Sequence, residues 1–150
     1  MTQDKIKRAV KYILKKMECS YTTTEDGELI FDYRDEPFAI SFNKEGEPFI
    51  SIIKYNLLTV KMDNVNEVSR LYRAINDTNS NGPITVFYDI DYDEREIDVY
   101  SHTKILFFSP IPNRRGLLKF YLDYFFQAQK YLKDKMTALE EEELSNCKAN

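Results

Sequence analysis

The sequence predicts an α+β fold: an antiparallel sheet of five to six strands flanked by helices, in the order α-βββ-α-ββ(β)-α. Three observations carry this. Apolar residues recur at helical spacing in three separate stretches, near residues 3–18, 64–76 and 114–136. The segments between them alternate apolar and polar residues, as half-buried strands do. Short turns join those segments, which implies antiparallel pairing, and helices gathered on one face of such a sheet make a layered α+β domain.

The elements follow in order. Ile6, Val10, Ile13, Leu14 and Met17 make the stripe of a first helix, with Thr2 as its expected cap and Asp4 at the positive end of its dipole. Its other face is basic through Lys5, Lys7, Arg8, Lys11, Lys15 and Lys16, and reads as a solvated outer face rather than a membrane anchor. Ser20 to Thr24 is expected as a short edge strand. Glu28 to Arg34 alternates around Leu29, Phe31 and Tyr33; Asp35, Glu36 and Pro37 are expected to turn; Phe38, Ile40 and Phe42 mark the next strand. A hairpin at Lys44 to Glu47, with Gly46 free to take positive φ, leads to Pro48–Lys54. The register of that strand is open, because Phe49, Ile50, Ile52 and Ile53 are all apolar. Tyr55 to Asp63 reads as a link.

The middle helix has the clearest signals. Val65, Val68, Leu71, Tyr72 and Ile75 form its stripe, Asn64 its cap, and Glu67 the third-position partner of a capping box. A polar run from Asn76 to Gly82, closed by Pro83, stops it. Ile84 to Ile90 alternates as a strand, and Asp91 to Glu94 turns. The apolar positions of the long run from Glu96 to Phe108 change phase between Val99 and Ile105, which predicts a bulge or break near Ser101 to Lys104. Asn113 caps a last helix reaching about Met136, with an aromatic stripe of Leu117, Phe120, Tyr121, Tyr124, Phe125, Ala128, Tyr131 and Leu132. Residues 1–136 thus form the expected single domain. The acidic stretch 137–150 is expected to be a frayed helix end or a disordered tail.

Composition narrows the function classes. A net charge of −4 gives no overall basic field for nucleic acid. No apolar run approaches the roughly 20 residues needed to span a bilayer. The amino-terminal residues contain no continuous apolar core of a secretory signal. Two distant cysteines, Cys19 and Cys147, form neither a metal spacing nor a disulfide framework, and fit a reducing, cytoplasmic setting.

The order of elements resembles that of the YbjN family, whose fold is that of the type III secretion chaperones, over nearly the whole chain to about Met136. One short signature accompanies it: an apolar residue, Asn, two residues and a second Asn at the end of the middle helix, before a strand. Here these are Ile75, Asn76, Asp77, Thr78 and Asn79. The family usually has an apolar residue before the second Asn, and Thr78 departs from that. The resemblance implies a small, cytosolic, non-enzymatic protein, often dimeric, with secretion chaperones of this fold holding extended stretches of partner chains.

No catalytic constellation emerges from the residues themselves. Asp89, Asp91 and Asp93 begin like a calcium loop, but its sixth and twelfth positions are Glu94 and Tyr100 rather than Gly and Glu. His102, the only histidine, has no spacing that makes a triad with Cys19 or Ser101. Arg114 and Arg115 precede the last helix as loop cations. No Gly-rich phosphate loop is present. No catalytic residue, metal site or cofactor is assigned. The expected function is a non-enzymatic protein-interaction module, chaperone-like or adaptor-like, with an unidentified protein partner, a homodimeric state, and neither nucleic acid nor membrane as ligand. The alternative is a divalent-ion or small-ligand sensor using the acidic hairpin 89–96. Apolar residues expected on the second face of the sheet name the partner surface: Ile50, Ile52, Phe87 and Tyr100, with Ile30 beside them.

Overall fold

The protein is described by a computed structural model covering residues 3–43 and 47–149. The expected cap Thr2 and the turn residues Lys44, Glu45 and Gly46 lie outside the described residues. The order is α1 (Gln3–Lys16), β1 (Tyr21–Thr23), β2 (Leu29–Tyr33), β3 (Glu36–Phe42), β4 (Phe49–Lys61), α2 (Val65–Asn79), β5 (Thr85–Asp91), β6 (Glu96–Leu106) and α3 (Arg114–Ala149). The six strands form one antiparallel sheet in the order β1-β2-β3-β4-β6-β5, as the α+β prediction requires. By their contacts the residues group into two compact units. The first comprises Met1–Tyr55 and His102–Asp123, the second Asn56–Ser101 and Tyr124–Asn150.

In the first unit, α1 buries Ile6, Val10, Ile13 and Leu14, as its stripe predicts. It ends on a Schellman motif. Cys19 N–H donates to Leu14 O at 2.9 Å, and Glu18 N–H to Lys15 O at 3.1 Å. Glu18 holds the left-handed position at φ 60°, where glycine is usual. The β2–β3 turn is tighter than expected. Tyr33 faces Glu36 in register, which leaves a two-residue loop. Arg34 and Asp35 both have positive φ, 51° and 64°, as a type I′ hairpin turn demands. Glu36 and Pro37 therefore belong to β3 rather than to the turn.

The register of β4 corrects the expected partner surface. Phe42 faces Ile50, Ile40 faces Ile52, and Phe38 faces Lys54. Ile50 and Ile52 thus share the covered face with Phe38 and Ile40, and both are fully buried. A one-residue shift sends every side chain of a strand to the other face. Phe49, Ser51 and Ile53 take the outward positions instead. Lys54, at the end of this buried row, is itself fully buried and ion-paired with Glu36.

The second unit shows two further departures. The expected link at Tyr55–Asp63 is strand: β4 continues to Lys61 past Asn56, whose φ of 60° marks a bulge. The expected break in β6 is absent. Ile97, Val99, Ser101, Thr103 and Ile105 are all buried and all in phase, so Ser101 and Thr103 simply occupy core positions with small polar side chains. Leu71, Ala74 and Ile75 of α2 pack with Leu57, Val60, Val86, Ile97 and Val99, and with Leu132 and Leu139 of α3. Each large aliphatic side chain buried this way contributes about 1.5–3 kcal/mol. Val65 and Tyr72, expected in the stripe of α2, are exposed.

The last helix departs most. Its buried positions are Leu118, Leu122, Phe125, Ala128, Leu132 and Leu139. Leu118, Leu122, Phe125, Leu132 and Leu139 fall on a heptad-like row, spaced by three and four residues or their sum. The aromatic residues misled the expectation: Phe120 and Tyr131 point outward, while Leu118 and Leu122 take the core. The helix does not end near Met136 but runs to Ala149, because Leu139 continues the row and Arg70 reaches Glu143 at 2.7 Å.

Candidate partner-binding surface

Strand β5 is the last of the sheet, so one of its edges faces no strand. What occupies that edge follows from the end of α2. Asn64 caps the helix as expected: its Oδ1 accepts from Glu67 N–H at 3.2 Å, and its Nδ2 donates to Glu67 Oε2 at 2.8 Å. The helix then runs one turn past the expected stop. Its final carbonyls are satisfied by side chains, Ser80 Oγ to Asn76 O at 2.9 Å and Asn81 Nδ2 to Asp77 O at 2.7 Å.

That extra turn carries Asn79 onto β5. Asn79 Oδ1 accepts from Val86 N–H at 2.7 Å, and Asn79 Nδ2 donates to Val86 O at 3.1 Å. One amide thus replaces one residue of a neighbouring strand. Only Asn or Gln offers a donor and an acceptor together in this form. Because N–H and C=O of a strand residue point the same way, the outer edge of β5 carries the backbone groups of Val86, and by alternation those of Tyr88 and Ile90. Thr78, the departure from the signature, is buried at an otherwise apolar position. It keeps its hydroxyl satisfied by donating back to Ala74 O at 2.8 Å.

Beyond Asn79 lies an open groove of about 390 Å³ walled by Tyr72, Arg73, Ile75, Asn76, Asn79 and Tyr88. Tyr72 and Tyr88 pack with ring centroids 5.2 Å apart. Partial desolvation, and then the Tyr88 phenol beside it, push the Tyr72 phenol up, so it remains a neutral hydrogen-bonding group. The side of β5 away from α2 carries Phe87, 38% exposed, stacked on Tyr100 at 5.4 Å. β5 therefore presents an aromatic side chain on each face beside a backbone edge. Of the four residues expected at the partner surface, the structure brings Phe87 and Tyr100 together and removes Ile50 and Ile52 into the core.

The other expected chemistry is used structurally. Asp91 Oδ1 accepts the N–H groups of Asp93 and Glu94, both at 3.1 Å, and so shapes the hairpin turn. Arg95 pairs with Asp63 at 2.7 Å. Among the described residues, no three or more His, Cys, Asp or Glu side chains gather as a metal site. Cys19 is buried, its Sγ donates to Met17 O at 3.8 Å, and burial pushes its thiol up, away from the thiolate a nucleophile needs. Ser101 is wholly buried, and its Oγ has no hydrogen-bond partner among the described residues. The Arg114 guanidinium stacks 5.5 Å over the Phe107 ring. In the first unit Tyr33 donates to Asp123 Oδ1 while Lys119 donates to Asp123 Oδ2 at 2.8 Å. Burial and this bond push the Tyr33 phenol up to about 12. No helix among the described residues is long and apolar enough to cross a membrane.

The sequence carried a pointer to Asn79, through the paired-Asn signature, but no reason for it. The reason is spatial: a bond to Val86, seven residues on. The Tyr72–Tyr88 pair had no sequence signal, since Tyr72 reads as part of the core stripe.

Neither a family model nor a curated protein matches this chain. Solved structures do. YbjN from E. coli, a proposed transcription regulator, aligns over 91% of this chain and 92% of its own, with a TM-score of 0.53 and 9% identity. An uncharacterized protein from Methanothermobacter thermautotrophicus aligns over 91% and 98%, with a TM-score of 0.58 and 14% identity. The chain is thus similar in fold to YbjN, at the level of the fold alone.

Proposed function

We propose that this protein is a non-enzymatic interaction module of the cytosol that binds an extended segment of a partner protein along β5. The observation that carries this reading is the part of the β5 edge past Asn79, which carries the backbone groups of Tyr88 and Ile90, with Phe87 on one face and the Tyr72–Tyr88 groove on the other. An extended peptide gains affinity from main-chain bonds to such an edge and selectivity from pockets for its alternate side chains. Arg73 in the groove favours a segment with an acidic side chain at one of those positions. The YbjN-like fold, with its regulatory description in E. coli, is compatible with this role.

The test compares proteins retained from an extract of the native source by wild type and by Phe87→Asp, with melting curves to confirm that both are folded. The reading expects a partner held by wild type and lost by the variant. Identical retention by both would contradict it. The ion-sensor alternative has less in its favour, since Asp91 already uses an oxygen to close its own turn.

A further inference from the structure

A second cavity lies within the second unit, where the end of α2 and the link into β5 meet α3. Tyr124, Gln127, Ala128 and Tyr131 stand three, four and seven residues apart on α3, so they share one stripe of that helix. Ala128 is the small residue of the stripe and leaves space above it. With Thr78 and Ile84, which are buried as it is, it makes the floor. The two tyrosines stand at the ends, about 10 Å apart along the helix axis. Gly82 completes the wall. A Cβ there would lie 2.7 Å from the Tyr124 hydroxyl and 2.8 Å from its ring, so glycine lets that ring lie close against the backbone.

The rim is polar and braced. Tyr131 donates to Asp77 Oδ2 at 2.9 Å and accepts from Asn81 Nδ2 at 3.3 Å. The bond to Asp77, and then desolvation, push the Tyr131 phenol up, so it stays neutral. Tyr124 donates to Asn81 O at 3.4 Å. Both rings are therefore positioned before anything binds, which lowers the cost of binding. Asn81 Oδ1 and the whole Gln127 amide have no hydrogen-bond partner among the described residues. None of the residues lining the cavity carries a charge. Asp77, beside it, already faces Lys135 at 3.6 Å.

We propose that this cavity binds a neutral purine base, free or as its nucleoside. Size sets the first limit. A cavity of roughly 150 Å³ takes benzene, a single ring. At about 250 Å³ this one takes a fused pair of rings. Charge sets the second limit. A phosphate or carboxylate placed here would meet no counter-charge from the lining residues. Hydrogen bonding sets the third. The Gln127 amide offers a donor and an acceptor side by side, the pair that matches the N6 and N7 edge of adenine. An apolar bicycle such as indole would leave that amide and Asn81 Oδ1 without partners. The tyrosine rings supply the π surface on which bases pack.

Calorimetry and NMR on the full chain test it with adenine, adenosine, AMP, oligoadenylate and indole. Adenine or adenosine should bind saturably, with a Kd of about 1 mM or tighter, a scale suited to ligands this small. Their relative affinities tell base from nucleoside. Indole should bind at least about fivefold more weakly than adenine, and AMP no more tightly than adenosine. The backbone amides of Gly82 and Ala128 should shift on titration, and those of Tyr21 and Thr23 in β1 should not. Gln127→Leu, at an exposed position and checked by a melting curve, should weaken adenine about tenfold or more while leaving indole as before. No saturable binding of adenine or adenosine would overturn the proposal. So would indole binding as well as adenine, AMP binding more tightly than adenosine, shifts confined to other residues, or a folded Gln127→Leu that holds adenine like wild type. Binding of oligoadenylate without adenosine would equally overturn it, by assigning the site to a single-stranded nucleic acid.

Discussion

Asn79 shows how much one side chain can decide. Its amide fills both backbone positions of Val86, so a substitution that keeps the size but not the donor should break half of the arrangement. Asn79→Asp sets a carboxylate oxygen against the Val86 carbonyl. It should cost about 1–3 kcal/mol in urea unfolding, as losing one partner of such a pair does. Asn79→Gly should additionally uncover the Val86 part of the edge and raise self-association by strand pairing. His102 gives a prediction of a different kind. Burial first, and then the Lys104 charge, hold its imidazole below the ordinary 6.5. Between the folded and unfolded values the unfolded chain binds more protons, so stability rises with pH across that window. His102 should therefore contribute full stability above about 6.5 and lose it as pH falls toward the lowered folded value. As it is the only histidine, one resonance in an NMR titration reports it, and His102→Gln should flatten the stability profile between about pH 5 and 7. A profile unchanged by the substitution would contradict this.

At the scale of elements, Leu139 separates expectation from structure. The acidic composition after Met136 suggests a dispensable tail, yet Leu139 closes the row formed by Leu132 and packs into the second unit. Leu139→Ala should cost about 2–4 kcal/mol, the usual range for a fully buried leucine. An equilibrium denaturation showing under about 0.5 kcal/mol would mean the helix end is not docked. The same residue shows what was legible in the sequence. Periodicity located every helix and nearly every strand, because burial of one face imposes the pattern directly. It failed where the pattern was broken by conformation or shared by several residues. The bulge at Asn56 let β4 continue through a stretch that reads as a link. Four apolar residues in Phe49–Ile53 left the register of β4 undecided until its pairing with β3 fixed it. Ser101 and Thr103 hid the phase of β6 by standing at core positions as polar residues. In α3 many aromatic residues outvoted the leucines that pack. The candidate site was half legible for the same reason: Phe87 stands in an unambiguous strand and Tyr100 just before the expected break in its own, whereas Ile50 and Ile52 depended on that undecided register.

For the whole molecule, the proposed reading rests on the surface around β5. Cys19 and Ser101 are buried, Asp91 is occupied by its own turn, and the polar side chains around β5 act on backbone. The two faces of β5 and its edge lie within one compact unit and present aromatic rings of modest exposure beside main-chain groups. A photo-reactive phenylalanine analogue installed in place of Phe87, and separately in place of Thr22 on the opposite edge strand β1, tests this claim most directly. Irradiation in an extract of the native source should give a defined protein adduct from position 87 and none of that size from position 22. Adducts from position 22 alone, the same adduct from both, or none from position 87 would contradict the assignment of β5 as the partner-binding edge.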